Sequence, residues 1–319
     1  MIAFALSGGG NRGPIQVGAM RALFERGMVP EMLVGTSAGA LNAAYIATNP
    51  SAQTNETLAQ LWLDTKSSDI FPKPRFVMIV RAAFFGNGLD DNQARAKNFL
   101  KYIPPGVKTF GDLKAKLYLT AADLQTGQLY LYGDKPDANL IEACLASTAL
   151  PVVWDPEMIK LTLQTQDGNT TMVERQFVDG GVVANVPISI AMDKGATEIF
   201  ALDLQHAGPY PYKKGVIPIA LHTIGVQTYQ QVLRDIQRAI EAEHVTLHYI
   251  SLGDIFANLD LRDFSHTAEM IEEGYRRTKA YLDNPTPNRS PRRKPGVLGD
   301  ERAREEGVPP GAVPYQPPL

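Results

Sequence analysis

Residues 2–47 read IAFALSGGGNRGPIQVGAMRALFERGMVPEMLVGTSAGALNAAYIA and alternate between two kinds of segment. A short apolar run at residues 2–7 ends in three glycines, and a second run, Met32–Val34, ends in GTSAG. Each is followed by a helical pattern, the first starting at Pro14 and the second covering Ala38–Ala47. Strand, helix, strand and helix in this order predict a parallel sheet with helices packed on its faces.

The rest of the chain extends this pattern to about residue 283. Further strands are predicted over Lys116–Ala122, Gln128–Tyr132, Met158–Leu163, Thr171–Val178, Glu198–Leu204 and 245–252. Helices are predicted over most of 54–101, over Ala138–Ser147, from Pro187, and over 226–240 and 270–282. The fold class is therefore α/β, a three-layer α/β/α domain over residues 1–283 with a mainly parallel central sheet.

The remaining residues, 284–319, hold nine of the 23 prolines and few large apolar side chains. Such a segment buries too little surface to offset its ordering entropy, so we expect a disordered or loosely attached tail. A net charge of −3 argues against a nucleic-acid-binding protein. The single cysteine, Cys144, excludes an internal disulfide and is expected to be a small buried side chain. No signal peptide or membrane span is predicted, which suggests a cytoplasmic protein with possible peripheral membrane contact.

The glycine-rich stretch Gly8–Gly13 allows three interpretations. It satisfies G-x-G-x-x-G, the dinucleotide-binding fingerprint, but that motif also requires an acidic residue at the end of the second strand. Gly35-Thr36-Ser37 stands there instead. The backbone N–H groups of the loop can alternatively stabilise an oxyanion, helped by the dipole of the following helix. The third interpretation is a tight turn that needs glycines only for its backbone angles.

The second glycine motif, Gly35-Thr36-Ser37-Ala38-Gly39, matches the G-x-S-x-G pattern of a nucleophilic serine. In that pattern the serine occupies a strained strand-to-helix turn, and the flanking glycines make room for close packing. Two neighbouring parallel strands place their following loops at one sheet edge, so Ser37 and the first glycine loop should face one cleft.

A base for Ser37 is not evident from the residues alone. The histidines are His206, His222, His244, His248 and His266. None belongs to a motif, and only His206, which follows a predicted strand, remains a reserve candidate. Three aspartates also end predicted strands: Asp123, Asp179 and Asp203. An aspartate can act as a base when burial and contact with the hydroxyl tune its pKa.

Four segments in order resemble the patatin-like phospholipase family. They are GGGNRG at 8–13, GTSAG at 35–39, ASTALPVVWDP at 146–156 and DGG at 179–181. The resemblance covers about residues 1–205, and beyond that only the late helix around Gly274 is reminiscent of the family.

The resemblance implies a lipid acyl hydrolase that cleaves carboxylic esters of phospholipids, lysophospholipids or acylglycerols. Ser37 would be the nucleophile and Asp179 the general base of a Ser–Asp dyad. The implied oxyanion hole consists of Gly8, Gly9, Gly10 and Arg12. The supporting motif glycines are Gly13, Gly35, Gly39, Gly180 and Gly181. No metal or cofactor is implied.

An acyl chain needs an apolar groove, and one apolar segment of the chain suits it. Its residues Phe71, Phe76, Val77, Met78, Ile79, Phe84 and Phe85 would line a groove or form a lid, or else belong to an ordinary packed helix. The cluster Arg292-Arg293-Lys294 is a candidate contact for anionic headgroups. Two other functions stay open: a non-catalytic nucleotide- or anion-binding protein that uses loop 8–13, and a catalytically silent interaction protein.

Overall fold

The computed structural model of the chain describes residues 1–71, 103–164, 167–205, 214–256 and 259–288. The strands are β1 (Ile2–Leu6), β2 (Met32–Gly35), β3 (Lys116–Asp123), β4 (Gln128–Tyr132), β5 (Glu157–Gln164), β6 (Thr170–Asp179), β7 (Glu198–Asp203) and β8 (Thr246–Ser251). The helices are α1 (Gly13–Glu25), α2 (Ala38–Ala47), α3 (Ala52–Asp64), α4 (Ser67–Ile70), α5 (Leu140–Ser147), α6 (Ile188–Asp193), α7 (Val216–Glu241) and α8 (Thr267–Asp283).

The eight strands form one mixed sheet in the order β5-β6-β3-β2-β1-β7-β8, with β4 also paired to β3. All pairs among β3, β2, β1, β7 and β8 are parallel. Both β4 and β6 pair antiparallel with β3, and β5 pairs antiparallel with β6. The α/β class is confirmed, but the sheet is parallel only in this five-strand part, because the β5–β6 hairpin joins it in the opposite sense.

Helices cover both faces of the sheet, as the predicted three layers require. Successive residues of a strand point to opposite faces, and in β1 the side chains of Phe4 and Leu6 face one core while Ala3 and Ala5 face the other. The first core contains residues of α1, α2, α5 and α8. The second contains residues of α6 and α7. Buried on both faces, β1 is apolar throughout, as is usual for a central parallel strand.

Helices α1 and α8 pack unusually closely on the first face. A Cβ atom on Gly18 would lie 1.8 Å from the carbonyl oxygen of Ile271, and one on Gly274 would lie 2.0 Å from that of Ile15. The two glycines therefore let the helix backbones touch. The late helix around Gly274 is α8, and this contact is its packing against α1. The packing holds α1 in place behind the first glycine loop.

The predicted element boundaries differ most at α7, which begins at Val216 rather than near residue 226. Residues 216–226 (VIPIALHTIGV) carry no acidic or basic side chain except His222, so they show no amphipathic period. Of the predicted helical region 54–101, residues 72–101 lie outside the described residues, and α3 and α4 occupy the rest.

Cys144 is buried, as predicted, and its burial raises the pKa of the thiol to about 12. At the start of the predicted tail, Leu247 N–H donates to Asn288 Oδ1 at 2.7 Å, so this part is held against β8. Residues 289–319, including the cluster 292–294, lie outside the described residues. Across the described ranges, no helix combines the length and apolar character needed to cross a membrane.

Candidate active site

Ser37 occupies a strained turn between β2 and α2. Its backbone angles are φ 55° and ψ −124°, a left-handed conformation that costs a non-glycine residue about 1–3 kcal/mol. The turn fits because its neighbours lack side chains: a Cβ on Gly39 would lie 2.3 Å from the carbonyl oxygen of Leu6, and one on Gly35 would lie 2.6 Å from that of Gly39. The strain presents a half-buried serine beside the end of β1.

The turn is held by hydrogen bonds from distant parts of the chain. Thr36 Oγ1 lies 2.7 Å from Thr120 Oγ1 and donates to the carbonyl oxygen of Ala184 at 2.9 Å. The Ser37 N–H donates to Ser147 Oγ at 3.0 Å. This amide is therefore occupied, and the fully buried Ser147 helps to retain the strained conformation.

Asp179 ends β6 at the same level of the sheet. Its side chain is buried, and Oδ1 accepts the Gly181 N–H at 2.7 Å. Its own N–H donates to the carbonyl oxygen of Ala149 at 2.9 Å. Gly180 lies tightly against β3, since a Cβ there would be 2.1 Å from Thr120 Oγ1. Thr120 therefore contacts both the Ser37 turn and the Asp179 turn.

The ASTALPVVWDP segment contacts both turns as well. Ser147 accepts from the backbone of Ser37, and Ala149 accepts from the backbone of Asp179. From the sequence alone, this segment supports the family resemblance and no role is predicted for it. Its position between the two turns is what makes it a site element.

The first glycine loop follows β1 and forms a short 3-10 turn at Gly10–Arg12. The Gly8 N–H donates to the carbonyl oxygen of Asn185 at 3.2 Å, so it is not available to an oxyanion in this conformation. Among the residues that the structure describes, the N–H groups of Gly9 and Gly10 have no hydrogen-bond partner. Arg12 Nη1 donates to the carbonyl oxygen of Gly253 at 3.1 Å.

One cavity of about 290 Å³ brings most of the predicted residues together. It is lined by Gly8, Gly9, Gly10, Arg12, Ser37, Leu150, Asp179, Gly181, Val182, Asn185, Gln205, Ile224, Gly225, Thr228 and Leu261. We call it the catalytic cavity. Four predicted motif glycines lie outside its lining: Gly13, Gly35, Gly39 and Gly180. These four make room for neighbouring atoms instead.

Asn185 was not predicted from the sequence. Its carbonyl oxygen accepts from Gly8, and its Oδ1 would lie 2.6 Å from a Cβ on Gly8 and 3.0 Å from one on Gly181. The side chain therefore fills the space between the glycine loop and the Asp179 turn. An asparagine six residues after Asp179 belongs to no pattern that marks this position.

A second, apolar pocket of about 90 Å³ also has Ser37 in its lining. We call it the near pocket. The described residues of its lining are Gly10, Asn11, Ser37, Ala38, Leu41, Trp62, Ile70, Phe71, Thr148, Leu150, Trp154, Leu261 and Phe264. Phe71 stacks on Trp154 with ring centroids 5.1 Å apart. Phe71 is thus the member of the predicted groove that the structure locates, since residues 76–85 lie outside the described residues.

The other two strand-end aspartates face elsewhere. Asp123 binds Arg175 at 2.5 Å, and although burial works to raise its pKa, hydrogen bonds from Arg175, Gln125 and Thr126 hold the pKa below its usual value. Burial raises the pKa of Asp203 to about 6, opposed by hydrogen bonds from the Tyr249 hydroxyl and the Gln205 N–H. Neither aspartate lines the catalytic cavity.

No histidine of the described part of the chain lines the catalytic cavity or the near pocket. His248 stacks on Phe200 and hydrogen-bonds the Tyr281 hydroxyl at 2.9 Å. His266 pairs with Glu269 at 2.9 Å, which raises the pKa of the imidazole. The reserve candidate His206 lies outside the described residues. Within the described ranges, no group of three or more His, Cys, Asp or Glu side chains is arranged to hold a metal ion.

The chain is similar to known proteins in sequence. The profile of the family described as "Patatin-like phospholipase" matches residues 4–192. The chain is 26% identical over 301 residues to the uncharacterized protein YqhO of Bacillus subtilis, covering 86% of this chain and 96% of YqhO. It is 26% identical over 204 residues to patatin-like phospholipase domain-containing protein 7 of Rattus norvegicus, covering 64% of this chain. That match spans only 13% of the rat protein.

Among solved structures, VipD from Legionella pneumophila aligns with a TM-score of 0.46 at 17% identity, over 88% of this chain and 66% of VipD. The type III effector ExoU aligns with a TM-score of 0.40 at 15% identity, over 88% of this chain and 52% of ExoU. The profile match includes the first glycine loop, the Ser37 turn, the ASTALPVVWDP segment and the Asp179 turn. The chain belongs to the patatin-like phospholipase family.

Proposed function

We propose that the chain hydrolyses carboxylic esters of lipids, with Ser37 as nucleophile and Asp179 as general base. The observation that carries the proposal is that a strained, accessible serine and a buried carboxylate line one cavity while an apolar pocket adjoins the same serine. Membership of a family of lipid acyl hydrolases supports the same reaction class.

In the acylation step, Ser37 Oγ attacks the ester carbonyl carbon as its proton passes to the Asp179 carboxylate. The Gly181 N–H, bonded to Oδ1, orients that carboxylate. Negative charge develops on the carbonyl oxygen, and we assign its stabilisation to the N–H groups of Gly9 and Gly10. A preorganised donor of this kind is typically worth about 3–4 kcal/mol. Arg12 braces the loop through the carbonyl oxygen of Gly253 and adds positive potential.

The tetrahedral intermediate then collapses and the ester C–O bond breaks. The proton held by Asp179 goes to the departing alcohol or lysolipid oxygen. In the second step a water molecule attacks the acyl-serine carbonyl carbon and gives its proton to Asp179. Collapse breaks the Ser37 Oγ–carbon bond, the proton returns to Ser37, and a fatty acid leaves.

The two cavities that Ser37 lines suit the two parts of a lipid ester. The near pocket is lined mainly by apolar side chains such as Leu41, Phe71 and Trp154 and suits the acyl chain. The catalytic cavity also carries the polar side chains of Asn185 and Gln205 and suits the alcohol side of the ester. We therefore propose phospholipids, lysophospholipids or acylglycerols as the substrate class.

We also propose that the beginning of α7 contacts a lipid surface. Val216, Ile219 and Val226 are large apolar residues that remain exposed, Val216 to 84%. The same helix contributes Ile224, Gly225 and Thr228 to the wall of the catalytic cavity. Apolar side chains beside the cavity can insert between lipid headgroups without a spanning helix.

The proposal is tested with purified chain, p-nitrophenyl esters and a fluorophosphonate probe. We expect ester turnover and covalent labelling in the wild type, and neither in Ser37→Ala, whose melting temperature should match that of the wild type. Chelation by EDTA should leave the rate unchanged, because every proposed step uses protein groups and water. Stabilisation by nucleotides without labelling would favour the anion-binding alternative, and a folded but unreactive chain would favour the interaction protein.

A further inference from the structure

A further apolar pocket of about 50 Å³, which we call the far pocket, adjoins the near pocket. It is lined by residues that include Ala44, Leu58 and Cys144. Leu41, Trp62 and Ile70 line both pockets. Trp62 has the largest of these three side chains, so it contributes the most side-chain volume to the boundary that the two pockets share.

Trp62 is held in this position by buried hydrogen bonds. Its Nε1–H donates to Asn42 Oδ1 at 2.8 Å, and the amide nitrogen of Asn42 donates to Gln16 Oε1 and to the carbonyl oxygen of Gly13, both at 3.0 Å. The Gln16 amide in turn donates to the carbonyl oxygen of Ser7 at 2.9 Å. Asn42 and Gln16 are fully buried, so swinging the indole away would leave polar groups unpaired in the core.

Gly13 supplies the second constraint. A Cβ on Gly13 would lie 2.5 Å from Cζ2 and 2.9 Å from Cη2 of Trp62, so the ring packs directly on the backbone at the start of α1. Because Gly13 has no side chain, the indole has room to pack at this position. A hydrogen bond and a steric fit therefore place the same ring independently.

We propose that Trp62 sets the length of the acyl chain that the site accepts. This inference rests on the proposed function, in which Ser37 carries the acyl group. The chain enters the near pocket from Ser37, and its distal carbons meet the indole. Replacing Trp62 by a small residue joins the near and far pockets into one channel, with Cys144 in its wall. The channel then buries methylene groups that the wild type leaves in water.

The size of the effect follows from the burial of methylene groups. Each buried methylene changes an equilibrium or rate constant by about fourfold. Two or more additional methylenes in the joined channel should therefore raise the ratio of kcat/KM for the hexadecanoyl ester to that for the butanoyl ester by about tenfold or more. In the wild type the same ratio should be low, because chains longer than the near pocket must bend back into solvent.

The experiment measures kcat/KM of the full chain for p-nitrophenyl esters from butanoate to hexadecanoate. Trp62→Ala should show the raised ratio, and Trp62→Phe, which loses the donor and part of the ring, an intermediate ratio. Leu63→Ala is the matched control, since Leu63 is the next residue of α3, is 46% exposed and lines neither pocket, so its profile should equal that of the wild type. Adding Ala44→Met to Trp62→Ala fills the far pocket and should return the ratio towards the wild-type value.

Two results would overturn the inference while leaving the proposed function intact. One is a wild type that hydrolyses hexadecanoate as efficiently as octanoate. The other is an unchanged ratio in both folded Trp62 variants, with turnover still dependent on Ser37. A wild type without any Ser37-dependent ester turnover would instead refute the proposed function and the inference together.

Discussion

Changing Asp179 and Asp123 separately to asparagine should distinguish catalysis from stability. Asp179→Asn keeps a side-chain oxygen that can accept the Gly181 N–H, now at 2.7 Å. We therefore expect the free energy of unfolding to change by less than about 1 kcal/mol. The carboxamide cannot take up the proton of Ser37, so kcat/KM should fall by about 10²–10⁴-fold.

For Asp123→Asn we expect the opposite result, a loss of stability with kcat/KM retained. Asp123 is buried and binds the partly exposed Arg175, so removing its charge should lower the free energy of unfolding by about 1–3 kcal/mol. Its kcat/KM should stay within about twofold, because it does not line the catalytic cavity. The folded pKa of Asp123 lies below its usual value, so its stabilisation is present above about pH 4 and is lost as the pH falls through the folded pKa. The stabilities of wild type and variant should then converge in acid.

The assay combines hydrolysis of p-nitrophenyl butanoate with urea unfolding at several pH values. Hydrolysis is measured at about pH 7.5, well above the usual pKa range of carboxylates. His206→Ala belongs in the same series, because His206 is the reserve base. An inactive Asp123→Asn beside an active Asp179→Asn would refute the assignment of the base. A His206→Ala variant as inactive as Ser37→Ala would refute the two-residue mechanism.

Three further outcomes are expected. Burial raises the pKa of Asp203 to about 6, above about 3.9 in an unfolded chain, so the protein should lose stability as the pH rises from about 4 to 6. Urea unfolding at several pH values should show that Asp203→Asn removes up to about 3 kcal/mol of this loss. The same dependence of the free energy of unfolding on pH in wild type and variant would contradict this. Ser147→Ala removes the acceptor of the Ser37 N–H, so it should lower kcat/KM and should lower the free energy of unfolding by about 1–2 kcal/mol. Calorimetry and kinetics unchanged from the wild type would show that Ser147 does not support the Ser37 turn. Val216→Asp with Ile219→Asp should reduce co-sedimentation with phosphatidylcholine vesicles without affecting butanoate hydrolysis, whereas undiminished sedimentation would argue against the α7 contact.

Much of the local structure was predictable because it depends on neighbours in the chain. The G-x-S-x-G pattern predicts a strained serine between two glycines, and Ser37 has φ 55° with Gly35 and Gly39 in close contact with other backbone atoms. Apolar runs ending in glycine loops predict β1 and β2, which pair in parallel with Leu6 opposite Gly35. The choice among Asp123, Asp179 and Asp203 did not follow from local pattern, since all three end strands.

The sequence by itself determined the α/β class, the paired glycine loops at one sheet edge and the strained turn at Ser37, because strand period, helix period and glycine sterics act over a few residues. Only the tertiary structure decided how distant segments meet at that edge. Strand β6 enters antiparallel beside β3, so Asp179 pairs with Ala121 and lies near the level of Thr120. The hydrogen bonds of two site amides also depend on distant residues. The carbonyl oxygen of Asn185 accepts the Gly8 N–H, and Ser147 Oγ accepts the Ser37 N–H. Such contacts join residues that are 58 positions apart (Ala121 and Asp179) to 177 positions apart (Gly8 and Asn185), and no local pattern encodes them.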